Sequence, residues 1–199
     1  MMPILILAAG ASSRMRGADK LLLDVGGVPL LRRQINAALS VSRDVRVALP
    51  PAPHDRYGCV PDAAQVVAVP DAAQGMSASL RRLIATLSPG TSHAMILLAD
   101  LPEITSDDLT HVMDAVQTRP DATVWRGATD DGKPGHPLVI AASMFPDFAT
   151  LSGDTGGQQV LARHLDNTCL VPLPGNRARL DLDTPEDWAA WRAASSAGG

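Results

Sequence analysis

Residues 3–8 (PILILA) form an unbroken apolar run that stops at a turn of small residues, Ala9-Gly10-Ala11-Ser12-Ser13. A strand with one face in water alternates apolar and polar residues. A short run with no polar residue is a strand covered on both faces, as in the middle of a parallel sheet. Residues 93–99 (HAMILLA) repeat the pattern and stop at Asp100-Leu101-Pro102. Neither run approaches the ~20 residues that cross a bilayer. The first has no basic stretch before it and does not read as a secretory signal.

Strands buried on both faces need helices on both sides, and the sequence between and after them alternates accordingly. Pro29 to Leu39 carries Leu30, Leu31, Ile35, Ala38 and Leu39 at helical spacing, with Pro29 suited to a first turn. Asp44–Leu49 alternates as a strand and is stopped by Pro50, Pro51 and Pro53. Gln65–Val69 is a short strand, and Ser77–Leu87 a helix ending near Pro89 and Gly90. Thr105–Val116 is a helix capped by Thr105 or Ser106, with Asp107 and Asp108 suited to its positive end. Thr123–Trp125 and Pro137–Ile140 read as strands around the polar stretch 126–136, and Met144–Ala149 and Gly157–His164 as helices. Leu170–Pro172 and Arg179–Leu182 read as short strands. Thr184–Ala194 closes as a helix with Thr184 at its N-cap, Pro185 first, and Glu186 and Asp187 in the first turn.

The expectation is one domain over residues 1–194 with a disordered tail at 195–199. Its class is α/β, a three-layer sandwich around a mostly parallel, Rossmann-like sheet. Ligands in such folds lie beyond the carboxyl ends of the strands. That places the loop after the first strand beside the Asp100 turn.

Composition narrows the function. Hydrophobic residues make up 46% and charged residues 19%, enough for a sizeable core. A net charge of −4 argues against a broad nucleic-acid surface, though not against a local phosphate site. Cys59 and Cys169 show no metal-ligand spacing and read as reduced thiols of a cytoplasmic protein. No nucleic-acid or membrane partner is expected.

Five motifs can carry chemistry. Leu7-Ala8-Ala9-Gly10-Ala11-Ser12-Ser13-Arg14-Met15, followed by Lys20, is a small-residue turn after a buried strand. Its backbone N–H groups can approach phosphate, Arg14 can grip an oxyanion with its planar fork, and Lys20 can neutralise it. It is neither a Walker A loop nor a dinucleotide fingerprint; the competing reading is a tight turn with two surface cations. Asp100 ends its strand with no other formal charge from His93 onward and could bind a hard cation such as Mg²⁺, or serve as a turn residue before Pro102. Asp181 and Asp183 would share one face of a strand, and either could complete a metal site; Asp183 or Thr184 could equally cap the last helix. Gly75, Met76, Ser77 and Ser79 open a helix whose N–H and hydroxyl groups could hold a base or ribose, or form an ordinary helix start. His136, after a polar loop, could touch an acceptor phosphate, carry a proton or be solvated; His54, His93, His111 and His164 show no mutual pattern.

In this order the motifs resemble the MobA-like branch of the nucleotidyltransferases, and within it the molybdenum cofactor cytidylyltransferases. The resemblance runs from Ile4 to about Trp191. It rests on residues 7–31 together with GMSASLRRLI at 75–84, LLADLPEIT at 97–105, GHPLV at 135–139, LSGDTGGQQVL at 151–161 and LDLDTPEDW at 180–188. It implies the nucleotide-diphospho-sugar transferase-like fold. It also implies NTP binding by the 7–20 loop, Mg²⁺ at Asp100, and acceptor contacts in the second half, where His136 and Asp154 are the candidates; Asp183, ahead of Asp181, is the expected second metal ligand. Ala8-Ala9-Gly10 looks like the form in CTP users, so the implied reaction is transfer of CMP from CTP to the phosphate of a molybdopterin-type acceptor. A molybdoenzyme or its maturation factor is the implied partner. The usual Met-Gly after the arginine is Met15-Arg16-Gly17 here. The rivals are a sugar- or alditol-phosphate acceptor, and a non-catalytic carrier of a pterin cofactor.

Overall fold

The computed structural model describes residues 1–151 and 157–197. Nine strands are assigned in that range: β1 (Ile4–Leu7), β2 (Asp24–Val25), β3 (Val28–Pro29), β4 (Val45–Leu49), β5 (Gln65–Ala68), β6 (His93–Leu98), β7 (Val124–Ala128), β8 (Pro134–Ala141) and β9 (Thr168–Pro172). The α-helices are α1 (Leu30–Val41), α2 (Met76–Ala85), α3 (Ser106–Thr118), α4 (Phe145–Ala149), α5 (Gln158–Ala162) and α6 (Pro185–Ala197). Seven strands build the main sheet in the order β5-β4-β1-β6-β8-β7-β9, and β2 and β3 form a small separate hairpin. In the main sheet β5, β4, β1 and β6 run parallel, β8 runs against β6 and β7, and β9 is parallel to β7.

The apolar runs are covered on both faces, as their composition demands. Side chains alternate across a strand. Ile4, Ile6, Met95 and Leu97 therefore enter one core with Leu31 and Ile35 of α1, Leu109 and Val112 of α3, and Trp188 of α6. Leu5, Ala94 and Ile96 enter the opposite core with Leu80 and Leu83 of α2, Phe148 of α4, and Val160 and Leu161 of α5. The protein is a three-layer α/β/α sandwich.

The chain moves outward from β1 to β4 and β5, then returns through α2 to β6 on the other side of β1. That reversal is the topological switch point, where the carboxyl ends of parallel strands leave a crevice. The loop after β1 and the turn after β6 meet there.

Three segments differ from the sequence expectation. The strands β7 and β8 extend to Ala128 and back to Pro134, so much of the polar stretch 126–136 is hairpin rather than loop. Arg126 is a strand residue for that reason. Residues 179–182 form no strand: the Asp181 N–H donates back to the Arg179 carbonyl at 3.0 Å, a tight turn that no ladder accommodates. The segment instead crosses the carboxyl edge of the sheet, held by His136 N–H to Ala178 O at 2.7 Å, Leu182 N–H to Asp100 O at 3.4 Å and the buried Leu182 side chain. The last helix continues to Ala197, past the expected Ala194. Its start follows the expected chemistry: Thr184 Oγ1 accepts from the Asp187 N–H at 3.1 Å, and Asp187 accepts from the Thr184 N–H at 2.8 Å.

Candidate active site

A cleft of about 570 Å³ opens at the switch point. It is lined by residues 7–14, Lys20, Gly75, Met76, Ser79, Asp100, Asp181 and Asp183, among others. Its volume suits a nucleotide-sized ligand.

The loop after β1 is anchored at its start and bent twice. Ala8 and Ala9 are buried and plug into the two opposite cores, so the turn leaves the sheet at a defined point. A side chain added at Gly10 would meet nothing within 4 Å, so the protein's own packing does not demand glycine there, and its backbone is bare toward the cleft. Ser12 and Arg16 have φ of 51° and 52°, the left-handed region that side chains other than glycine seldom occupy. Arg16 thus takes a glycine-like backbone conformation directly after Met15, and Gly17 follows with φ 95°. The Met15-Arg16-Gly17 sequence is accommodated by a left-handed arginine, whose guanidinium meets Glu186 at 2.6 Å on the surface.

Arg56 holds this loop in shape. Its side chain is essentially buried, and it comes from a short 3₁₀ segment, Asp55–Cys59. Its Nη1 donates to the Ala8 carbonyl at 2.6 Å and its Nη2 to Ser12 Oγ at 3.2 Å. Nε and Nη2 grip the Asp19 carboxylate at 2.6 and 2.8 Å. One guanidinium thereby ties together the exit of β1, the middle of the loop and the residue before Lys20. Burial works against the charge on Asp19, but the hydrogen bonds and charge of Arg56 outweigh it and hold the carboxyl below its ordinary value. Asp19 also accepts from the Leu21 N–H at 3.0 Å and so caps the turn that carries Lys20. Sequence reading did not single out Arg56, because an isolated arginine among prolines carries no motif. The one available signal was its position beyond the carboxyl end of β4, beside the switch point.

Lys20 is the electrostatic centre. Its ammonium lies 2.6 Å from Asp100 Oδ2 and 2.5 Å from Asp183 Oδ1, and Arg14 Nη1 lies 2.6 Å from Asp183 Oδ2. Burial opposes the Lys20 charge, yet attraction to Asp100 and the hydrogen bonds to both carboxylates outweigh it and raise its pKa. The Lys20 side chain is 13% exposed and that of Arg14 71% exposed, so Lys20 is buried between its two carboxylates while Arg14 reaches Asp183 from the solvent side. Asp183, rather than Asp181, shares the lysine with Asp100. Asp181 lines the cleft too; burial pushes its pKa up, and the charges of Asp183 and Asp100 push the same way.

The turn that presents Asp100 is held from below by Gln34 of α1, whose fully buried Nε2 donates to the Leu101 carbonyl at 2.8 Å. Asp100 Oδ1 is buried with no hydrogen-bond partner. Asp100 thus keeps one buried unpaired oxygen, Oδ1, while its Oδ2 shares the Lys20 ammonium with Asp183; two carboxylates so placed, one with a spare oxygen, are a donor set that fits a hard divalent ion. Among the described residues no three His, Cys, Asp or Glu side chains converge on one point. Mg²⁺ bound by one or two carboxylates plus water and phosphate oxygens does not need a third.

The remaining candidates separate. Gly75 (φ 91°), Met76 and Ser79 line the cleft at the start of α2, whereas Ser77 is fully buried outside its lining. His136 lies beside a neighbouring cavity, not in the cleft itself. Asp154 lies outside the described residues.

The sequence matches the MobA-like NTP transferase domain over residues 4–168. The chain belongs to that family. This MobA-like protein is a nucleotidyltransferase. It is similar to the crystal structure of Rv0371c from Mycobacterium tuberculosis H37Rv, at 26% identity and TM-score 0.81 over 96% of each chain. It is similar also to that protein's manganese complex, at 25% identity and TM-score 0.77 over 95% of this chain and 96% of that one. CMP:2-keto-3-deoxy-manno-octonic acid synthetase in complex with CTP shares the fold at 16% identity, with TM-score 0.75 over 100% of this chain and 99% of that one. No curated protein matches the chain significantly. Among the described residues no helix is long and apolar enough to cross a membrane.

Proposed function

We propose that this MobA-like protein transfers CMP from CTP to the terminal phosphate of a molybdopterin-type acceptor, using Mg²⁺ and releasing pyrophosphate. The observation that carries the reading is the Lys20 bridge between Asp100 and Asp183 at the mouth of a cleft floored by a bare-backbone loop. Cytidine and the molybdopterin acceptor rest on the resemblance of Ala8-Ala9-Gly10 and of the second-half motifs.

An oxygen of the acceptor phosphate attacks the α-phosphorus in line, forming a new P–O bond. The bond from the α-phosphorus to the bridging oxygen of the β-phosphate breaks, and pyrophosphate leaves with the electron pair. Such transfers depend on positioning and charge neutralisation rather than on covalent help. The N–H groups of residues 9–13 and the fork of Arg14 bind the triphosphate. Lys20 neutralises the charge that accumulates on the leaving group. Asp100 and Asp183 would hold Mg²⁺, which when bound screens the phosphates from one another. Gly75, Met76 and Ser79 bound the nucleoside end of the cleft. No general base is needed, because a phosphate monoester with a second pKa of ~6 is ionised at neutral pH.

The test is incubation with Mg²⁺, each of CTP, GTP, ATP and UTP, and in separate reactions a molybdopterin-type acceptor, a sugar phosphate or an alditol phosphate, following pyrophosphate and the mass of any dinucleotide. CTP-selective release with a cytosine dinucleotide is expected. Selective use of GTP would refute the reading of Ala8-Ala9-Gly10. Turnover only with sugar or alditol phosphates would refute the acceptor, and acceptor binding without turnover on any nucleotide would make the protein a carrier.

A further inference from the structure

A second cavity of about 290 Å³ adjoins the cleft and shares Leu7, Met76, Leu98 and Asp181 with it. Leu80, Phe148 and Leu161 give it an apolar wall, and Arg126, His136 and Arg179 give it a polar one. Arg126 extends from β7 and donates Nε to the Gly135 carbonyl at 2.8 Å; Arg179, in the segment that crosses the sheet edge, donates Nη1 to the Pro134 carbonyl at 2.8 Å. Both hydrogen bonds go to neutral backbone oxygens. Among the described residues no carboxylate pairs with either guanidinium, whereas Arg46, Arg56 and Arg82 each hold an aspartate. Asp181 is the one carboxylate among the described residues that line the cavity, and no hydrogen bond or ion pair joins it to Arg126 or Arg179.

The like charges are held together at a cost. Burial, and then the charge of Arg179, both push the pKa of Arg126 down. Burial and the charge of Arg126 press His136 down to about 4, so the ring is neutral at physiological pH. Its Nδ1 is buried and has no hydrogen-bond partner. Two guanidinium groups gathered at one cavity, with no carboxylate paired to either among the described residues, are stabilised by an arriving oxyanion. The backbone is built to keep them there: a side chain at Gly135 would stand 2.0 Å from the Ala178 carbonyl oxygen, so the two segments that carry His136 and Arg179 touch main chain to main chain. β8 is the strand next to β6, whose end carries Asp100, so an anion in this cavity lies beside the cleft rather than on the far side of the sheet.

We propose that Arg126 and Arg179 form the binding site for the phosphate of the acceptor, whose apolar body lies against Leu80, Phe148 and Leu161. The inference rests on the transferase reading above and adds the residues that receive the second substrate. The same oxyanion chemistry could come from the triphosphate of the nucleotide, and the test separates the two.

The experiment titrates inorganic phosphate into wild-type protein saturated with Mg²⁺ and a non-hydrolysable CTP analogue, by calorimetry. It repeats the titration with R179Q and R126Q, and measures the affinity of the analogue itself for all three. Arg179 is an exposed side chain, so R179Q keeps the fold; circular dichroism checks both variants. Loss of one charge-assisted contact to an anion weakens binding about tenfold or more. The expected result is phosphate affinity lowered at least that much in each variant, with analogue affinity within twofold of wild type. Unchanged phosphate affinity in R179Q, or no phosphate binding to the wild type at millimolar concentration, would overturn the proposal. A loss of analogue affinity equal to the loss for phosphate would assign the arginines to the triphosphate instead. If the analogue does not bind wild-type protein while phosphate binds in an Arg179-dependent way, the transferase reading fails and the anion site stands.

Discussion

Replacing Arg56 by methionine should loosen the nucleotide loop and the fold together. The apolar stem survives the change and the guanidinium does not. Asp19 then keeps only the Leu21 N–H at 3.0 Å and Ser12 Oγ at 3.3 Å, and the Ala8 carbonyl loses its 2.6 Å donor. Removing one partner of a buried ion pair costs ~3–5 kcal/mol. The Asp19 side chain is 20% exposed and retains two hydrogen bonds, so the low end, about 3 kcal/mol, is expected. That is a large part of the ~5–15 kcal/mol that holds a domain together. With a urea m-value of ~2–3 kcal/mol per M, the unfolding midpoint should fall by about 1 M. Nucleotide affinity should fall about tenfold or more, because the loop must be ordered on binding instead of beforehand. Lysine at this position should rescue little, since it brings a point charge and no fork. The double variant with Asp19→Asn should be less destabilised than the sum of the two singles, by about 1 kcal/mol or more. Since Asp19 is held below its ordinary value of 3.8, the pair's stabilisation is complete above that pH and is lost as pH falls through the lowered value. A midpoint and an affinity unchanged in Arg56→Met, or strict additivity in the cycle, would refute this account of the loop.

Lys20→Met should leave a folded protein whose turnover falls ~100-fold or more, as removal of a preorganised charge does. It also leaves Asp100 and Asp183 facing each other without their shared cation. Added Mn²⁺ should therefore raise the melting temperature of this variant more than that of the wild type; an equal rise would disconnect the lysine from the metal position. Gly135→Ala must move main chain, because the new Cβ would stand 2.0 Å from the Ala178 carbonyl oxygen. A loss of about 2–3 kcal/mol in chemical denaturation is expected, and an unchanged stability would mean that the crossing segment yields freely. His136 has a folded pKa of about 4 against an ordinary 6.5, so the unfolded chain binds the proton first. Stability should fall between pH 6.5 and about 4 through this group, by at most ~3 kcal/mol, and His136→Gln should flatten that slope.

The layered fold was legible in residues 3–8 and 93–99, because an unbroken apolar run has one cheap solution, burial on both faces. The positions of Arg14, Lys20 and Asp100 followed from the rule that ligands meet the carboxyl ends of such strands. Helix starts at Thr105 and Thr184 were legible for a local reason: a cap and its partner lie within one turn. What spans the chain was not. Residues 179–182 alternate like a strand, yet they cross the sheet edge, because their partners are Asp100 and the chain around His136 rather than a neighbouring strand. Ser77 belongs to the same helix start as Gly75 and Ser79, but helix rotation buries it outside the cleft. The choice of Asp183 over Asp181 as the carboxylate sharing Lys20 with Asp100 depends on a turn that periodicity does not encode. Arg56, Gln34, Arg126 and Arg179 carry no local signature at all. Burial, charge balance and hydrogen bonding give them their places, and each of these depends on residues brought together only when the chain folds.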